Sequence, residues 1–292
     1  SDEVSGAGLL SDKAVAAAMR FTEAAMQQGM IERQLGVRID VQSVPRPHTG
    51  LGSGTQIAMA VGRALCHLLK IDEPALPELA GMVGRGRRSA IGVHGFDKGG
   101  FLLEGGKLNR QGLSPLLMRR DFPENWRLVI ISPRSLEGLA GEREHKAFGE
   151  MPAMPSEVTD HLCGLVLLGM CPALVEEDLD RFGDALYELQ QQVGHCFAHA
   201  QGGVYADPLL DRIVQHVRGG GVRGVGQSSW GPTLYAIAAT PEAGESLAGD
   251  VREAFNLRQR GEVIVTQADN IGSQVQAITP CSPHPRSQRA SR

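Results

Sequence analysis

A glycine-rich loop between a strand and a helix constrains this chain more than any other feature. Val37, Ile39 and Val41 alternate with polar residues, which predicts a strand. From Ser53 to about Lys70, apolar residues recur every three to four positions, which predicts an amphipathic helix. The loop between them ends in Gly50-Leu51-Gly52-Ser53-Gly54-Thr55. Glycines let several backbone N–H groups point at one spot, and a helix N-terminus adds partial positive charge there, so this segment predicts a phosphate site.

Two common phosphate motifs do not describe this loop. No Gly-Lys-Ser/Thr follows it, so it is not a Walker A loop, and its spacing is not that of a GxGxxG dinucleotide fold. The alternative interpretation is an ordinary glycine turn in which Ser53 caps the helix. Under the phosphate hypothesis the binding residues are Gly50, Gly52, Ser53, Gly54 and Thr55.

The run from Gly84 to Gly100 is dense in glycine and charge. Arg85, Arg87 and Arg88 lie within four positions and repel one another unless an anion or acidic groups sit among them. The alternative is a solvated basic face, although the glycine density argues against a plain helix here. The same run offers a base, a carboxylate and a point positive charge in His94, Asp97 and Lys98. A lone histidine is more often structural than catalytic.

A second glycine- and serine-rich turn runs from Gly224 to Gly231, between two predicted strands. It predicts either a tight hairpin or a loop that closes over the first one. Two such loops far apart in one chain indicate a site better than either loop alone. The candidate binding residues in this turn are Gly226, Gln227, Ser228 and Ser229.

Composition limits the classes of function. The net charge is −4 and aromatic residues make up 4% of the 292 residues, so we expect no binding along nucleic acid. The most apolar run, Leu162 to Cys171, is shorter than the ~18 residues of a membrane span, so we expect no membrane segment. Five cysteines without a CxxC pair and no visible secretory signal predict reduced thiols in a cytoplasmic protein.

Helices and strands alternate along the chain, which predicts an α+β protein. The expected helices cover about 11–28, 53–70, 77–83, 156–171, 176–193, 207–218 and 242–256. The expected strands cover 37–41, 101–104, 127–132, the region near 222, 233–239 and 262–266. The charged, proline-containing run 142–155 predicts a connection between two halves. We therefore expect one domain over residues 1–140, a second over 150–272, and a disordered tail over 279–292.

Three segments together resemble the GHMP kinase superfamily. Pro47-His48-Thr49-Gly50-Leu51-Gly52-Ser53-Gly54-Thr55 resembles its central phosphate-binding motif, and the turn from Gly224 to Gly231 is similar to its C-terminal glycine-rich motif. The run from Gly84 to Gly106 and the segment Gly-Gln-Ser-Ser-Trp-Gly-Pro-Thr most resemble its β-ribofuranosylaminobenzene 5′-phosphate synthase branch. The resemblance implies two α/β sandwich domains with the site between them. The N-terminal domain would have a left-handed β-α-β crossover, and the C-terminal domain would be ferredoxin-like.

The chain departs from the superfamily at two points. Many superfamily kinases carry a catalytic Asp in Ser-Gly-Ile-Asp-Asn, whereas Ser89-Ala90-Ile91-Gly92-Val93 has Gly92 at that position. A glycine cannot accept a proton, which favours the synthase branch over a kinase. The second departure is that only 46 residues precede Pro47, so we expect an upstream, strand-rich piece of the superfamily domain to be missing.

The resemblance implies that phosphoribosyl pyrophosphate condenses with 4-aminobenzoate or a similar aryl acid, releasing pyrophosphate and CO₂, in tetrahydromethanopterin biosynthesis. The central loop would bind phosphates, and the three arginines would bind the remaining anions. We expect Mg²⁺, with Ser53 and Asp97 as its ligands, and we place Asp97, His94 and Lys98 at the reacting centre as hypotheses from residue type.

Two alternatives stay open at this point. The first is a small-molecule kinase that binds ATP in the same loop, and the second is a non-catalytic nucleotide- or phosphosugar-binding protein. In every case we expect small-molecule partners, with no nucleic acid and no membrane, and a homodimer is an open possibility. The residues do not identify the aryl acid.

Overall fold

The computed structural model describes residues 3–34, 36–107, 112–138 and 141–277. The predicted disordered tail, 279–292, lies outside the described residues. In chain order the elements of the first half are β1 (Ser5–Gly8), α1 (Ser11–Gln27), β2 (Arg38–Val41), α2 (Ser53–Leu69), α3 (Leu76–Met82), α4 (Ile91–Lys98), β3 (Phe101–Glu104) and β4 (Leu116–Arg120). The elements of the second half are β5 (Arg127–Pro133), α5 (Gly141–Glu150), α6 (Ser156–Gly164), a π-helical turn (Leu165–Met170), α7 (Cys171–Val175), α8 (Leu179–Gln201), α9 (Pro208–Gly219), β6 (Val225–Gln227), β7 (Leu234–Ala238), α10 (Pro241–Ala254), α11 (Leu257–Arg260) and β8 (Gly261–Thr266).

The first half packs two long helices face to face. Strands β1 and β2 pair in parallel and are joined by α1, so these three elements form a β-α-β unit. The inner face of α1 is mostly alanine around a fully buried Phe21, which lets α2 approach closely with Ile57, Val61 and Leu65. This core fixes the direction of α2 and therefore the position of the glycine loop at its N-terminus.

The second half is a βαββαβ unit. Its four strands lie in the order β6-β7-β5-β8, and all three pairings are antiparallel. That order is the ferredoxin-like arrangement, with β5 as its first strand. Helices α9 and α10 cover one face through Leu210, Ile213 and Val251, all of which are fully buried. The predicted α+β class and the ferredoxin-like second unit are therefore confirmed.

The sheet places the division between the two units earlier than residue 140. Strand β5 lies at Arg127–Pro133, inside the range 1–140 expected for the first domain. It pairs with β7 on one side and with β8 on the other, so it is a central strand of the second unit. The β-branched run Val129-Ile130-Ile131 suits such a position, because it is covered by helices and by neighbouring strands.

Two segments are helical where the sequence suggested otherwise. The connection 142–155 contains helix α5, Gly141–Glu150. The glycine-dense run contains helix α4, Ile91–Lys98, even though Gly92 and Gly95 lie inside it. The Glu104 carboxylate accepts hydrogen bonds from the Ala90 N–H at 3.0 Å and from the Ser89 hydroxyl at 2.8 Å. This tertiary contact stabilises the start of α4, which the low helix propensity of its glycines does not favour.

The structure contains an apolar helix that is longer than the sequence suggested. The expectation of no membrane segment depended on the shorter run Leu162 to Cys171. Helix α6, the π-helical turn and α7 form a continuous helix, Ser156–Val175, with a mean hydropathy of 1.7 over 18 residues. By length and composition this helix could cross a membrane. It packs Met170 and Leu174 against Phe182 of α8. One such helix is weak evidence of a membrane span, because core helices of folded domains pass the same test.

Candidate active site at the two glycine-rich loops

The N-terminus of α2 is an uncapped anion cradle. The residue before the helix is Gly52, in the left-handed region at φ 68°, and no side chain caps the helix. The alternative interpretation, with Ser53 as the cap, is therefore wrong, since Ser53 is the first helical residue. Among the described residues, the N–H groups of Ser53 and Gly54 have no hydrogen-bond acceptor. Free N–H groups and the helix dipole together suit a phosphate.

Arg85 points its guanidinium at this cradle. Its Nη2 would lie 3.4 Å from a Cβ placed on Gly54, in the first turn of α2. Its Nε is buried and has no hydrogen-bond partner among the described residues. Burial lowers the pKa of Arg85, and the nearby charge of Arg20 lowers it further. A desolvated, unpaired cation beside a free helix N-terminus is a site that an anion would complete.

Arg46, in the segment before the glycines, has a similar unpaired nitrogen, and the sequence analysis did not select it. Its Nη1 is also buried without a partner among the described residues. The Thr49 hydroxyl donates to the Arg46 carbonyl at 2.8 Å, which holds the turn before the glycines. Arg46 stands alone between two prolines, so no cluster of like charges marked it out.

The second glycine-rich turn closes over the first, which is one of the two outcomes that the sequence predicted. The Ser228 hydroxyl donates to the Gly50 carbonyl at 3.0 Å. Gly50 has φ 83°, and a Cβ there would overlap the Ser228 carbonyl oxygen. Glycine is therefore required at this position by backbone conformation and by close approach. The two loops, 178 residues apart, form one surface.

Gln227 and Gly226 shape the second loop from behind. Oε1 of the Gln227 side chain accepts a hydrogen bond from the Ala206 N–H at 2.8 Å. Nε2 of the same side chain donates to the Ser229 carbonyl at 3.1 Å. A Cβ on Gly226 would lie 2.5 Å from Cγ of Gln190. Gln227 thus holds the loop in shape, while Gly226 leaves room for the side chain of Gln190.

The three arginines of the predicted basic cluster diverge. Only Arg85 faces the central loop. Arg87 is exposed and lines a polar surface groove together with Arg20 and Glu23. Arg88 forms an ion pair with Glu144 at 3.1 Å and lies over the ring of Phe148, with its guanidinium carbon 5.5 Å from the ring centroid. The expected single anion-binding group is therefore not formed by all three.

The residues expected at the reacting centre, His94, Asp97 and Lys98, make contacts with protein groups outside the two glycine-rich loops. His94 is buried, and its Nε2 lies 2.9 Å from the Ser114 carbonyl oxygen. Asp97 forms ion pairs with Arg63 at 2.8 Å and with Lys98 at 3.4 Å. These contacts with protein groups give His94, Asp97 and Lys98 each a role in the structure.

The expected magnesium pair, Ser53 and Asp97, lies at two different levels along α2. Arg63, the partner of Asp97, lies ten residues beyond Ser53 in the helix, which is about 15 Å along its axis. One Mg²⁺, with ligands at about 2.1 Å, cannot contact both. No group of three or more His, Cys, Asp or Glu side chains forms a metal cluster among the described residues. Asp97 is therefore withdrawn as a ligand.

Gly92 does lie beside the central loop. A Cβ there would be 3.4 Å from the Thr55 side chain, an ordinary contact. The Gln56 amide donates to the Gly92 carbonyl at 3.0 Å and ties α4 to the first turn of α2. The position at which related kinases carry their Asp thus faces the phosphate cradle, and in this chain it carries no carboxylate.

A groove of about 700 Å³ is not this site. It lies between β2 and α2, and its walls are mainly apolar. Among its lining residues Arg38 is the cation, and neither of the unpaired arginines at the loops lines it. Size alone therefore does not locate the anion site.

Comparisons with known proteins agree with this arrangement. The family description "GHMP kinases N terminal domain" matches residues 13–105, and "GHMP kinases C terminal" matches 170–257. The beta-ribofuranosylphenol 5′-phosphate synthase of Methanothermobacter thermautotrophicus is 34% identical over 245 residues, covering 80% of this chain and 71% of the relative. The protein of the same name from Archaeoglobus fulgidus is 36% identical over 262 residues, covering 82% and 77%.

A solved structure shows the same fold at low identity. The homoserine kinase of Cytophaga hutchinsonii superposes with a TM-score of 0.66 at 17% identity, covering 92% of this chain and 83% of the kinase. The resemblance drawn from the two loops and the run between them is confirmed. The chain belongs to the GHMP kinase superfamily and, within it, to the family of the β-ribofuranosylphenol 5′-phosphate synthases.

Proposed function

We propose that this chain is a pentosyltransferase that joins the ribose of phosphoribosyl pyrophosphate to the ring of an aryl acid, releasing pyrophosphate and CO₂. The relatives are named for a phenol product, β-ribofuranosylphenol 5′-phosphate. The acceptor we propose is accordingly 4-hydroxybenzoate, with 4-aminobenzoate as the alternative aryl acid. The product would be a C-riboside 5′-phosphate on the route to tetrahydromethanopterin, made in the cytoplasm.

The observation that carries the proposal is the anion site without a base. The N-terminus of α2 and the Arg85 guanidinium beside it offer several donors to phosphate oxygens. Gly92, beside them, offers no proton acceptor. A kinase must remove a proton from its hydroxyl substrate, and the position at which related kinases carry their Asp holds no carboxylate in this chain.

The proposed reaction needs no such base. The bond from the anomeric carbon to pyrophosphate breaks, and the leaving group takes the electron pair. The ring carbon that bears the carboxylate then bonds to the anomeric carbon. The carbon–carboxylate bond breaks next, its electrons return to the ring, and CO₂ leaves. CO₂ takes the place that a proton holds in ordinary aromatic substitution, so atoms and charge balance without proton transfer. The chain's own task is to stabilise pyrophosphate as charge develops on it.

Ser53 fits one part of a magnesium site. Its side chain is buried, and its hydroxyl has no hydrogen-bond partner among the described residues. In proteins, Mg²⁺ typically takes one or two protein oxygens and completes its shell with substrate phosphates and water. We propose that the Ser53 hydroxyl contributes a single ligand. The ion would neutralise charge on the departing pyrophosphate.

Pyrophosphate release separates this function from its rivals. The purified chain is incubated with Mg²⁺, phosphoribosyl pyrophosphate and either aryl acid, with and without ATP. The proposal predicts pyrophosphate release that depends on the aryl acid and not on ATP. ATP consumption with a panel of alcohols, and no pyrophosphate release, would establish the kinase instead. Ligand binding without turnover in either assay would establish a non-catalytic binding protein.

A further inference from the structure

A small aromatic pocket lies behind the second glycine loop. Its volume is about 130 Å³, and the rings of Phe148, Phe197 and Trp230 line one side of it. The Phe197 and Trp230 centroids are 4.7 Å apart and those of Phe148 and Trp230 are 5.1 Å apart, all in edge-to-face contact. A cavity of about 150 Å³ lined by apolar side chains holds a benzene molecule. The pocket therefore matches a single aromatic ring.

The polar side of the pocket presents a hydrogen-bond donor. Gln190 Oε1 accepts from the Gln227 backbone N–H at 3.1 Å. A backbone N–H can only donate, so this contact fixes the orientation of the Gln190 amide and leaves Nε2 on its other side. Among the described residues Nε2 makes no hydrogen bond. Gln201, which also lines the pocket, is occupied, because its Nε2 donates to the Val204 carbonyl and its Oε1 accepts from Gln227.

A cation stands beside the aromatic wall. Arg88 lies over the ring of Phe148, and its ion pair with Glu144 is half-exposed. Trp230 and Ser229 belong to the same loop as Ser228, which contacts Gly50 of the phosphate cradle. The pocket and the surface proposed to bind pyrophosphate thus share this loop.

We infer that this pocket holds the aryl acid, with its para substituent at Gln190 Nε2 and its carboxylate toward Arg88 and the glycine loops. The inference rests on the proposed function, because only a substrate that forms a bond to the ribose must lie next to the phosphoribosyl site. It orients the ring carbon that bears the carboxylate toward the phosphoribosyl site.

The same donor sets specificity between the two aryl acids. A phenolic oxygen accepts a hydrogen bond from Nε2. An aryl amine is mainly a donor, because its lone pair is delocalised into the ring, and it meets Nε2 donor to donor. A site built to hydrogen-bond one substrate group discriminates strongly against an analogue that cannot do so. Gln190 therefore favours 4-hydroxybenzoate over 4-aminobenzoate.

The test exchanges the donor for an acceptor. In Gln190→Glu one carboxylate oxygen keeps the bond to the Gln227 N–H and the other presents an acceptor to the pocket. We expect kcat/KM for 4-hydroxybenzoate to fall at least about tenfold and the preference to shift toward 4-aminobenzoate. Gln190→Leu should weaken both acids. Gln192→Glu, two residues along α8 and outside the pocket lining, is the matched control and should keep the wild-type ratio.

Two further measurements separate this inference from the proposed function. Pyrophosphate binding, measured by calorimetry, should be unchanged in all three variants, and 4-hydroxybenzoate binding, measured by ligand-observed NMR, should be lost in Gln190→Leu. Normal turnover with an unchanged acid ratio in folded Gln190 variants would overturn the inference and leave the function standing. Absence of turnover in the wild-type chain, with 4-hydroxybenzoate still bound through Gln190, would overturn the function alone. Aryl-acid binding that survives Gln190→Leu would overturn the pocket assignment in either case.

Discussion

Replacing Arg85 with methionine should make the free protein more stable and the anion site weaker. The Arg85 guanidinium has a buried Nε without a partner among the described residues, and burial and Arg20 both lower its pKa. An unsatisfied buried donor costs about 1–3 kcal/mol. Methionine keeps the length of the side chain, so most of its packing is retained. We expect a net stabilisation of about 1 kcal/mol, or roughly 2 °C in Tm.

The same change removes a charged donor to the bound phosphate. Such a contact is worth about 1.5–3 kcal/mol, which corresponds to about a 10- to 150-fold weaker Kd for inorganic pyrophosphate. Calorimetric unfolding gives the first quantity and titration calorimetry the second. Arg87→Met is the matched control, because Arg87 is exposed and lies in a different groove. Its Tm and its pyrophosphate affinity should both stay near wild type.

A higher Tm together with a weaker pyrophosphate affinity is the result expected when the replaced arginine belongs to a binding site. A purely structural arginine would give a lower Tm and an unchanged pyrophosphate affinity. That outcome for Arg85→Met would refute the assignment of the central loop as the anion site. A loss of affinity in Arg87→Met as large as that in Arg85→Met would refute the claim that the basic residues diverge.

Three other predictions follow from single contacts. Gly92→Asp fits sterically and adds a negative charge about 4–6 Å from bound phosphate, so it should cost on the order of 3–4 kcal/mol before screening and abolish pyrophosphate release; a gain of ATP-dependent turnover of an alcohol would contradict this. Ser228→Ala removes the hydrogen bond to Gly50 and should lower unfolding free energy by about 0.5–1.5 kcal/mol in a denaturant titration, and no change would show that the loops are held together by other contacts. Burial raises the pKa of the Cys66 thiol to about 11, so Cys66 is protonated at pH 8 and should resist alkylation while exposed Cys163 reacts, as peptide mass mapping would show; equal labelling would contradict the burial.

Patterns with a clear period allowed the sequence to predict most of the fold. Helix α2 was expected from Ser53 to about Lys70 and runs Ser53–Leu69, because one apolar face packs on α1. Helix α4 was missed, because Gly92 and Gly95 lower its propensity and the contact that starts it comes from Glu104, more than ten residues away. Strand β4 was missed as well, since Leu116–Arg120 ends in charges and has no alternation.

The site was predictable to the extent that its residues were adjacent in the chain. The glycine loops carry their signal locally, so their contact with each other was among the outcomes that the sequence predicted. Gln190 and the aromatic residues around Trp230 were not, because only the packing of α5 and α8 on the second loop brings them there. The contacts of His94 and Asp97 could not be predicted for the same reason. Their residue types suit catalysis, but their partners, Ser114 and Arg63, are set by the tertiary structure.

The central claim is that a carbon–carbon bond forms in a reaction that releases both pyrophosphate and CO₂ and needs no proton acceptor. The most direct test supplies 4-hydroxybenzoate labelled with ¹³C in its carboxyl group, together with phosphoribosyl pyrophosphate and Mg²⁺ but no ATP, and measures ¹³CO₂ and pyrophosphate in the same reaction. The account predicts equal amounts of both and a riboside product that contains no ¹³C. Pyrophosphate release with the label retained in the product would show attachment through oxygen and would contradict the account.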